Sequence, residues 1–145
     1  MRTRLSVMIL GAGLLLASTP AWAHHSFAAE FDEKQPITLK GTLTKMEWVN
    51  PHGWLHIDVK MPDGKVESWA IEAGGPTALL RRGLRKTDFP AGIEVVVQGY
   101  RAKNGSNTAN GRTVTTADGR NFFLGSSGGP GDGAEQRVTP AAPAR

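Results

Sequence analysis

The chain contains no cysteine among its 145 residues. A catalytic thiolate, a thiolate metal site and an iron–sulfur cluster are therefore excluded, because each of them needs cysteine sulfur. Disulfide bonds are excluded as well. Any folded domain in this chain must therefore be stabilised by its own hydrophobic core.

The chain also lacks an apolar run that could span a membrane. Its longest run, LSVMILGAGLLLAS, has about 14 residues, whereas a transmembrane helix needs about 20. Arg2 and Arg4 precede this run. Ala21 and Ala23 follow it with the spacing of small residues that signal peptidase requires. Residues 1–23 are therefore predicted to be a cleaved signal peptide, which makes the mature protein periplasmic and leaves it no membrane span.

Charge of one sign is not in large excess. The formal net charge of +4 comes from 17 Lys and Arg against 13 Asp and Glu. The predicted signal peptide carries two of these arginines and no acid, so the mature chain has 15 against 13, or +2. Nucleic-acid-binding proteins usually concentrate many Lys and Arg residues on one face. We therefore expect no nucleic-acid partner.

Composition divides the mature chain into three parts. Residues 125–145 are rich in Gly, Pro, Ala and Ser, a composition that cannot bury enough apolar surface to fold, so we predict a disordered tail. Residues 37–124 contain the periodic apolar patterns and are predicted to form one folded domain. Residues 24–36 are predicted to be an N-terminal arm before it.

Alternating apolar residues predict strands in this domain. In ITLKGTLTKMEWV the alternation slips near Lys45, and with Gly41 in mid-strand this predicts a long strand bent by a bulge. WLHIDVKM is predicted to place apolar residues on one face (Leu55, Ile57, Val59) and polar or aromatic residues on the other (Trp54, His56, Asp58).

The order of elements predicts the fold class. KVESWAIEA, IEVVVQGYRA and RTVTTA are predicted strands, and TALLRRGL is a short helix with Pro76 in its first turn and Gly83 at its end. Three strands, a helix and further strands are typical of a mainly β fold, a small five-stranded OB-like Greek-key barrel with one short helix between strands 3 and 4. Another small antiparallel barrel or sandwich is the alternative.

Two of the four histidines follow the predicted cleavage site. Cleavage after Ala23 makes His24 the N-terminus, so its α-amine and imidazole can chelate a metal ion, with His25 as a further ligand. Nitrogen ligands of this kind favour copper. The alternative is a solvated terminus without metal, unless Phe27 and Phe31 attach it to the barrel.

The other two histidines lie four positions apart, in and after the turn NPHG. On a straight strand His52 and His56 would be about 13 Å apart, too far to share a metal ion unless the chain turns at Gly53. We therefore predict His24, His25 and His52 as metal ligands. His56 is interpreted as a half-buried structural residue that is hydrogen-bonded to a neighbour.

Aromatic and polar residues near this turn suggest where a ligand would bind. Trp54 on the second strand, with Trp48 and Asn50 before it, is predicted to contact a ligand, because the exposed face of strands 2 and 3 is the usual platform of OB barrels. Trp69, between small and apolar neighbours, is predicted to belong to the core.

Motifs of known enzymes are scarce in this sequence. Ser126 lacks the strand-to-helix context of a nucleophile elbow. Glu67 and Glu72 are five positions apart on one strand, so they face opposite sides and make no acid/base pair. These motifs favour a binding protein over an enzyme, and enzymatic activity stays open.

Several segments together resemble an uncharacterised family of Gram-negative secreted proteins, a domain of unknown function. They are the mature start HHSFAAEFD, the stretch ITLKGTLTKMEWVNPHGWLHIDV, WAIEAGGP with LLRRGL, and GRNFFLG. The resemblance implies export and a small β-barrel, and it brings no activity or catalytic residue.

Three functions stay open at this point. The first is a periplasmic binding or accessory module that holds copper or a small ligand. The second is a metal-free module that binds an envelope protein, for which the basic cluster Arg81 to Lys86 is the candidate surface. The third is a copper-dependent redox enzyme, which needs an open coordination position.

Overall fold

A computed structural model describes residues 27–125. These residues form a mainly β fold in which six strands make one largely antiparallel sheet. In chain order the elements are helix α1 (Phe27–Glu30), strands β1 (Phe31–Glu47), β2 (Gly53–Lys60) and β3 (Val66–Ala73), helix α2 (Pro76–Arg81), a 3₁₀ turn (Lys86–Asp88), and strands β4 (Glu94–Ala102), β5 (Thr108–Thr116) and β6 (Asn121–Phe123). The segments predicted at 1–23 and in the tail after Gly125 lie outside the described residues.

The sheet has the strand order β3-β2-β1-β4-β5-β6, and β3 also pairs with β5. This additional pairing is parallel and joins Ala70–Glu72 to Thr108–Asn110. Five strands were predicted, whereas residues 27–125 contain six, because the turn at Asp118 separates β5 from the short strand β6.

Strand β1 is bent where the sequence predicted it. The register with β2 shifts between Leu43 and Lys45, so the predicted bulge is confirmed. Gly41 is needed beside this bend, because a Cβ atom there would lie 2.6 Å from the carbonyl oxygen of Asp58. The strand begins at Phe31, six residues before the predicted start at Ile37.

The core lies on one face of the strands. Leu55 and Ile57 are fully buried and Val59 is nearly so, whereas the residues between them on β2 are half-buried, as predicted. Trp69 is buried in the same core. A second, smaller cluster of buried residues contains Phe27, Phe31 and Ala102.

Helix α2 connects β3 to the later strands. Pro76 occupies its first turn, and Gly83 follows its end with a φ of +90°, so the predicted helix is confirmed. Among residues 27–125 no helix is long and apolar enough to cross a membrane.

Candidate functional site

The Asn50–His52 turn between β1 and β2 packs tightly against the turn before α2. The amide of Gly53 donates a hydrogen bond to the carbonyl of Gly74 at 3.2 Å. A Cβ atom on Gly75 would lie 2.6 Å from the carbonyl oxygen of Pro51, so only glycine allows this approach. The peptide bond between Asn50 and Pro51 is cis. The two turns therefore hold His52 beside the end of β3.

His52 contacts a carboxylate at this position. Its Nδ1 atom lies 3.1 Å from Oε1 of Glu72, within ion-pair distance but without hydrogen-bond geometry, and the two side chains are only 19% and 9% exposed. Glu72 is one of the few buried polar residues among those described. A half-buried imidazole and a buried carboxylate form the most enclosed polar pair in the candidate site.

Glu72 faces away from the hydrophobic core. Strand register pairs it with Trp54 on β2 and with Asn110 on β5, and Asn110 pairs with Tyr100 on β4. Partners in register project to the same side of a sheet. Ile71, which precedes Glu72 on β3, is fully buried in the core on the opposite side of the sheet. We call Trp54, Glu72, Asn110 and Tyr100 the outer row.

The start of the described chain is attached to one end of the outer row. The ring of Phe27 packs edge-on against Tyr100, with 5.5 Å between ring centroids, and lies 5.8 Å from the ring of Phe31. Lys103 donates through Nζ to the carbonyl of Ala28 at 2.6 Å. Phe27 and Phe31, the two residues that the sequence offered as an attachment, therefore pack together beside Tyr100.

His56 lies elsewhere on the same outer face, in a groove of about 480 Å³. Its Nε2 atom is 3.5 Å from Oε1 of Glu47, and Nε2 has no hydrogen-bond partner among residues 27–125. His56 is therefore half-buried, as predicted, and its side chain has the carboxylate of Glu47 as its neighbour. The ammonium of Lys45 beside Glu47, helped by His56, lowers the pKa of that carboxyl.

The predicted ligand-contacting residues occupy different places. Trp54 belongs to the outer row, directly opposite Glu72. Trp48 is half-buried and packs against the main core, and its Nε1 atom has no hydrogen-bond partner within residues 27–125. Asn50 is exposed and directs its side-chain oxygen toward Gly75.

The predicted metal ligands are only partly described. His52 lies in the site, whereas His24 and His25 precede residue 27 and lie outside the described residues. Within residues 27–125, no group of three or more His, Asp or Glu side chains could hold a metal ion.

Glu72 is the residue that sequence reasoning missed. Its position five residues after Glu67 correctly predicted that the two carboxylates face opposite sides, since Trp69, with the parity of Glu67, is in the core. The pattern of β3 could not show that Glu72 contacts His52, because His52 lies in a turn that is 20 positions earlier in the chain.

The fold and the site define a β-rich domain with a polar site on the outer side of its sheet. Residues 12–112 match the model of a family of unknown function, DUF6152, and the chain belongs to this family. This confirms the resemblance inferred from the HHSF and WVNPH segments. No curated protein and no solved structure matches the chain.

Proposed function

We propose that this protein is an exported, periplasmic binding module in which His24, His25 and His52 hold a metal ion, with copper preferred. The scaffold we propose is the OB-like barrel. Its support is the cycle of pairings β1–β2–β3–β5–β4–β1, in which each of these five strands has a partner on both sides. Helix α2 between β3 and β4 fits the same fold.

The observation that carries the proposal is the anchoring of Phe27 on Tyr100. Phe27 follows His24 by three positions, and an extended chain of that length reaches about 10 Å. Tyr100 and Glu72 are two strands apart in the outer row, which is also about 10 Å. The processed N-terminus is therefore within reach of Glu72 and of His52 beside it.

The ligand set suits copper. Signal cleavage after Ala23 would give His24 a free α-amine, and this amine and its imidazole would be two nitrogen ligands from one residue. His52 would add a nitrogen from the folded domain, and His25 is adjacent in the chain. Neutral nitrogen ligands of this type bind Cu²⁺ more strongly than the other common divalent ions.

The decisive experiment compares copper binding by protein that begins at His24 with protein that carries one additional glycine before His24. The extension removes the terminal amine from the chelate, and we expect copper affinity to fall about tenfold or more. His52→Ala should weaken affinity similarly, whereas His56→Ala should leave it unchanged. Calorimetry and copper EPR spectra measure both effects. Equal affinity and equal spectra for the two N-termini would overturn the proposal.

A second candidate function is binding of an envelope protein without metal. Arg81, Arg85 and Lys86, which lie at and after the end of α2, are all exposed. Such a cluster suits an acidic partner surface. Neutralising these three residues should abolish crosslinking to that partner in intact cells, and neutralising the exposed Lys34 and Lys40 should not. Loss of crosslinking only when copper is removed would contradict a metal-free role.

A further inference from the structure

Glu72 meets His52 through one particular ring atom. The carboxylate oxygen Oε1 lies 3.1 Å from Nδ1 of His52. Glu72 stands on β3 with paired strands on both sides, β2 through Trp54 and β5 through Asn110. The carboxylate is therefore attached to a rigid part of the sheet, while its histidine partner comes from a turn.

A carboxylate at this distance selects the tautomer of a neutral imidazole. Only one of the two ring nitrogens carries a proton, and the other carries a lone pair. A lone pair on Nδ1 would be repelled by the negative oxygen of Glu72, whereas a proton on Nδ1 is attracted by it. The low exposure of both side chains strengthens this preference, because little water is present to screen it.

We propose that Glu72 is a positioning residue that fixes His52 with its proton on Nδ1 and thereby presents Nε2 as the metal-coordinating atom. The coordinating role rests on the proposed function, whereas the tautomer does not require metal. Carboxylates that hold a ligating histidine in this way orient the ring and increase its basicity.

The second histidine supplies an internal comparison. At His56 the carboxylate of Glu47 lies near Nε2, at 3.5 Å, rather than near Nδ1. The same argument gives His56 the opposite tautomer, with the proton on Nε2. One protein therefore contains two histidine–carboxylate pairs with opposite geometry.

The tautomers are measured on metal-free protein by long-range ¹H–¹⁵N correlation of the imidazole rings. The spectra are recorded at a pH of about 9, because neutral imidazole is the form in which the two tautomers differ. We expect His52 to have its proton on Nδ1 and His56 on Nε2. In Glu72→Met, which removes the acceptor and keeps the volume similar, His52 should lose its preference for Nδ1–H. His52 protonated on Nε2 in the unmodified protein would overturn the inference.

Two further variants separate positioning from a structural role. Glu72→Gln removes the negative charge and offers both an acceptor oxygen and a donor amide group, so it should weaken the preference of His52 for the Nδ1–H form. Glu47→Gln is the matched control and should leave His52 unchanged. If Glu72→Met does not fold, the spectra of the unmodified protein and of Glu72→Gln still decide the question. A Glu72→Met protein that folds with an unchanged His52 tautomer would contradict the role of Glu72.

Copper binding then tests the functional part. Glu72→Met should lower copper affinity about 10- to 100-fold, and Glu47→Gln should not change it. A crystal structure of the copper-bound protein should show His52 coordinating through Nε2. Absence of copper binding in the unmodified protein would refute the proposed function and leave the tautomer result standing. Coordination through Nδ1 would overturn the inference on Glu72.

Discussion

At the scale of single residues, the turn between β5 and β6 is held by a chain of charged side chains. Asp118 accepts hydrogen bonds from the hydroxyl of Thr116 at 2.5 Å and from Nε of Arg120 at 2.7 Å. Arg120 also donates through Nη1 to Asp88 at 2.6 Å, and these contacts raise the pKa of the guanidinium. The network connects the β5–β6 turn to the 3₁₀ turn before β4.

This network predicts how stability depends on pH. The Thr116 and Arg120 hydrogen bonds lower the pKa of Asp118 from 3.8 to about 2. A depressed carboxyl pKa stabilises the folded state above the unfolded value, and this stabilisation is lost as pH falls through the folded value. Asp118→Asn should therefore lower the melting temperature at pH 7, and its difference from the unmodified protein should shrink between pH 3.8 and pH 2.

The melting temperatures are measured by circular dichroism at each pH. Glu33→Gln, which changes an exposed carboxyl on β1, is the control and should follow the unmodified protein throughout. A destabilisation by Asp118→Asn that is as large at pH 2 as at pH 7 would show that the charge of Asp118 is not the cause.

At the scale of elements, the approach of α2 to the Asn50–His52 turn sets the position of His52. Gly75→Ala would introduce a Cβ atom 2.6 Å from the carbonyl oxygen of Pro51. One of the two turns would have to shift, which we expect to cost about 1–3 kcal/mol of unfolding free energy. The NMR signals of the His52 ring should move as well.

Gly105→Ala is the matched control for this prediction. Gly105 has a φ of +78° and open space around its Cα, so alanine there costs only backbone strain, about 1 kcal/mol. Urea denaturation and ring NMR spectra compare the two variants. Unchanged His52 signals in Gly75→Ala would mean that α2 does not position the histidine.

The attachment of α1 makes a separate prediction. Phe27→Ala removes the edge-on contact with Tyr100 and should lower the unfolding free energy by about 1.5–3 kcal/mol. Because the arm is then released, copper affinity should also fall, by about tenfold or more. Val66→Ala, at an apolar side chain that is 61% exposed, should change neither quantity. Unchanged copper affinity in Phe27→Ala would show that metal binding does not depend on the attachment of the arm through Phe27.

Elements were predictable where their own sequence pattern determined them. The alternation in WLHIDVKM and the glycine and phase slip in β1 gave the buried faces and the bulge. The start of β5 was not predictable, because Thr108–Gly111 has no alternating apolar pattern. That segment is a strand because β3 and β4 pair with it from both sides.

The site divides in the same way. His52 could be selected as a candidate from the sequence, because one short segment, NPHG, shows a histidine within a turn. Its partner Glu72 was not, since only the pairing of β2 with β3 and the packing of two turns bring the residues together.

At the scale of the whole molecule, the C-terminal end of the described chain is part of the folded domain. Leu124 is fully buried, its amide donates to Arg112 and its carbonyl accepts from Gly74 at 2.7 Å. Arg82 donates to the carbonyl of Gly125 at 2.6 Å and lies 4.7 Å from the ring centroid of Phe123.

These contacts predict where the chain can be shortened. Deleting residues 126–145 should leave the melting temperature within about 2 °C of that of the mature protein. Deleting residues 124–145 removes a buried leucine and two backbone hydrogen bonds, so we expect a loss of at least about 2–5 kcal/mol. Calorimetry of both truncated proteins measures the difference. A large loss of stability on deletion of residues 126–145 would show that the predicted disordered tail contributes to folding.

The bent strand β1 also has a consequence for biosynthesis. Its second half pairs with β2, which follows at once, but its first half pairs only with β4, where Phe31 meets Ala102. The first half therefore has no partner until β4 is available for pairing. Pro36 lacks an amide proton, and Lys34 and Lys40 carry charge. Proline and charged side chains disfavour pairing of an exposed strand edge with another chain, so we expect the composition of β1 to limit aggregation before β4 pairs with it.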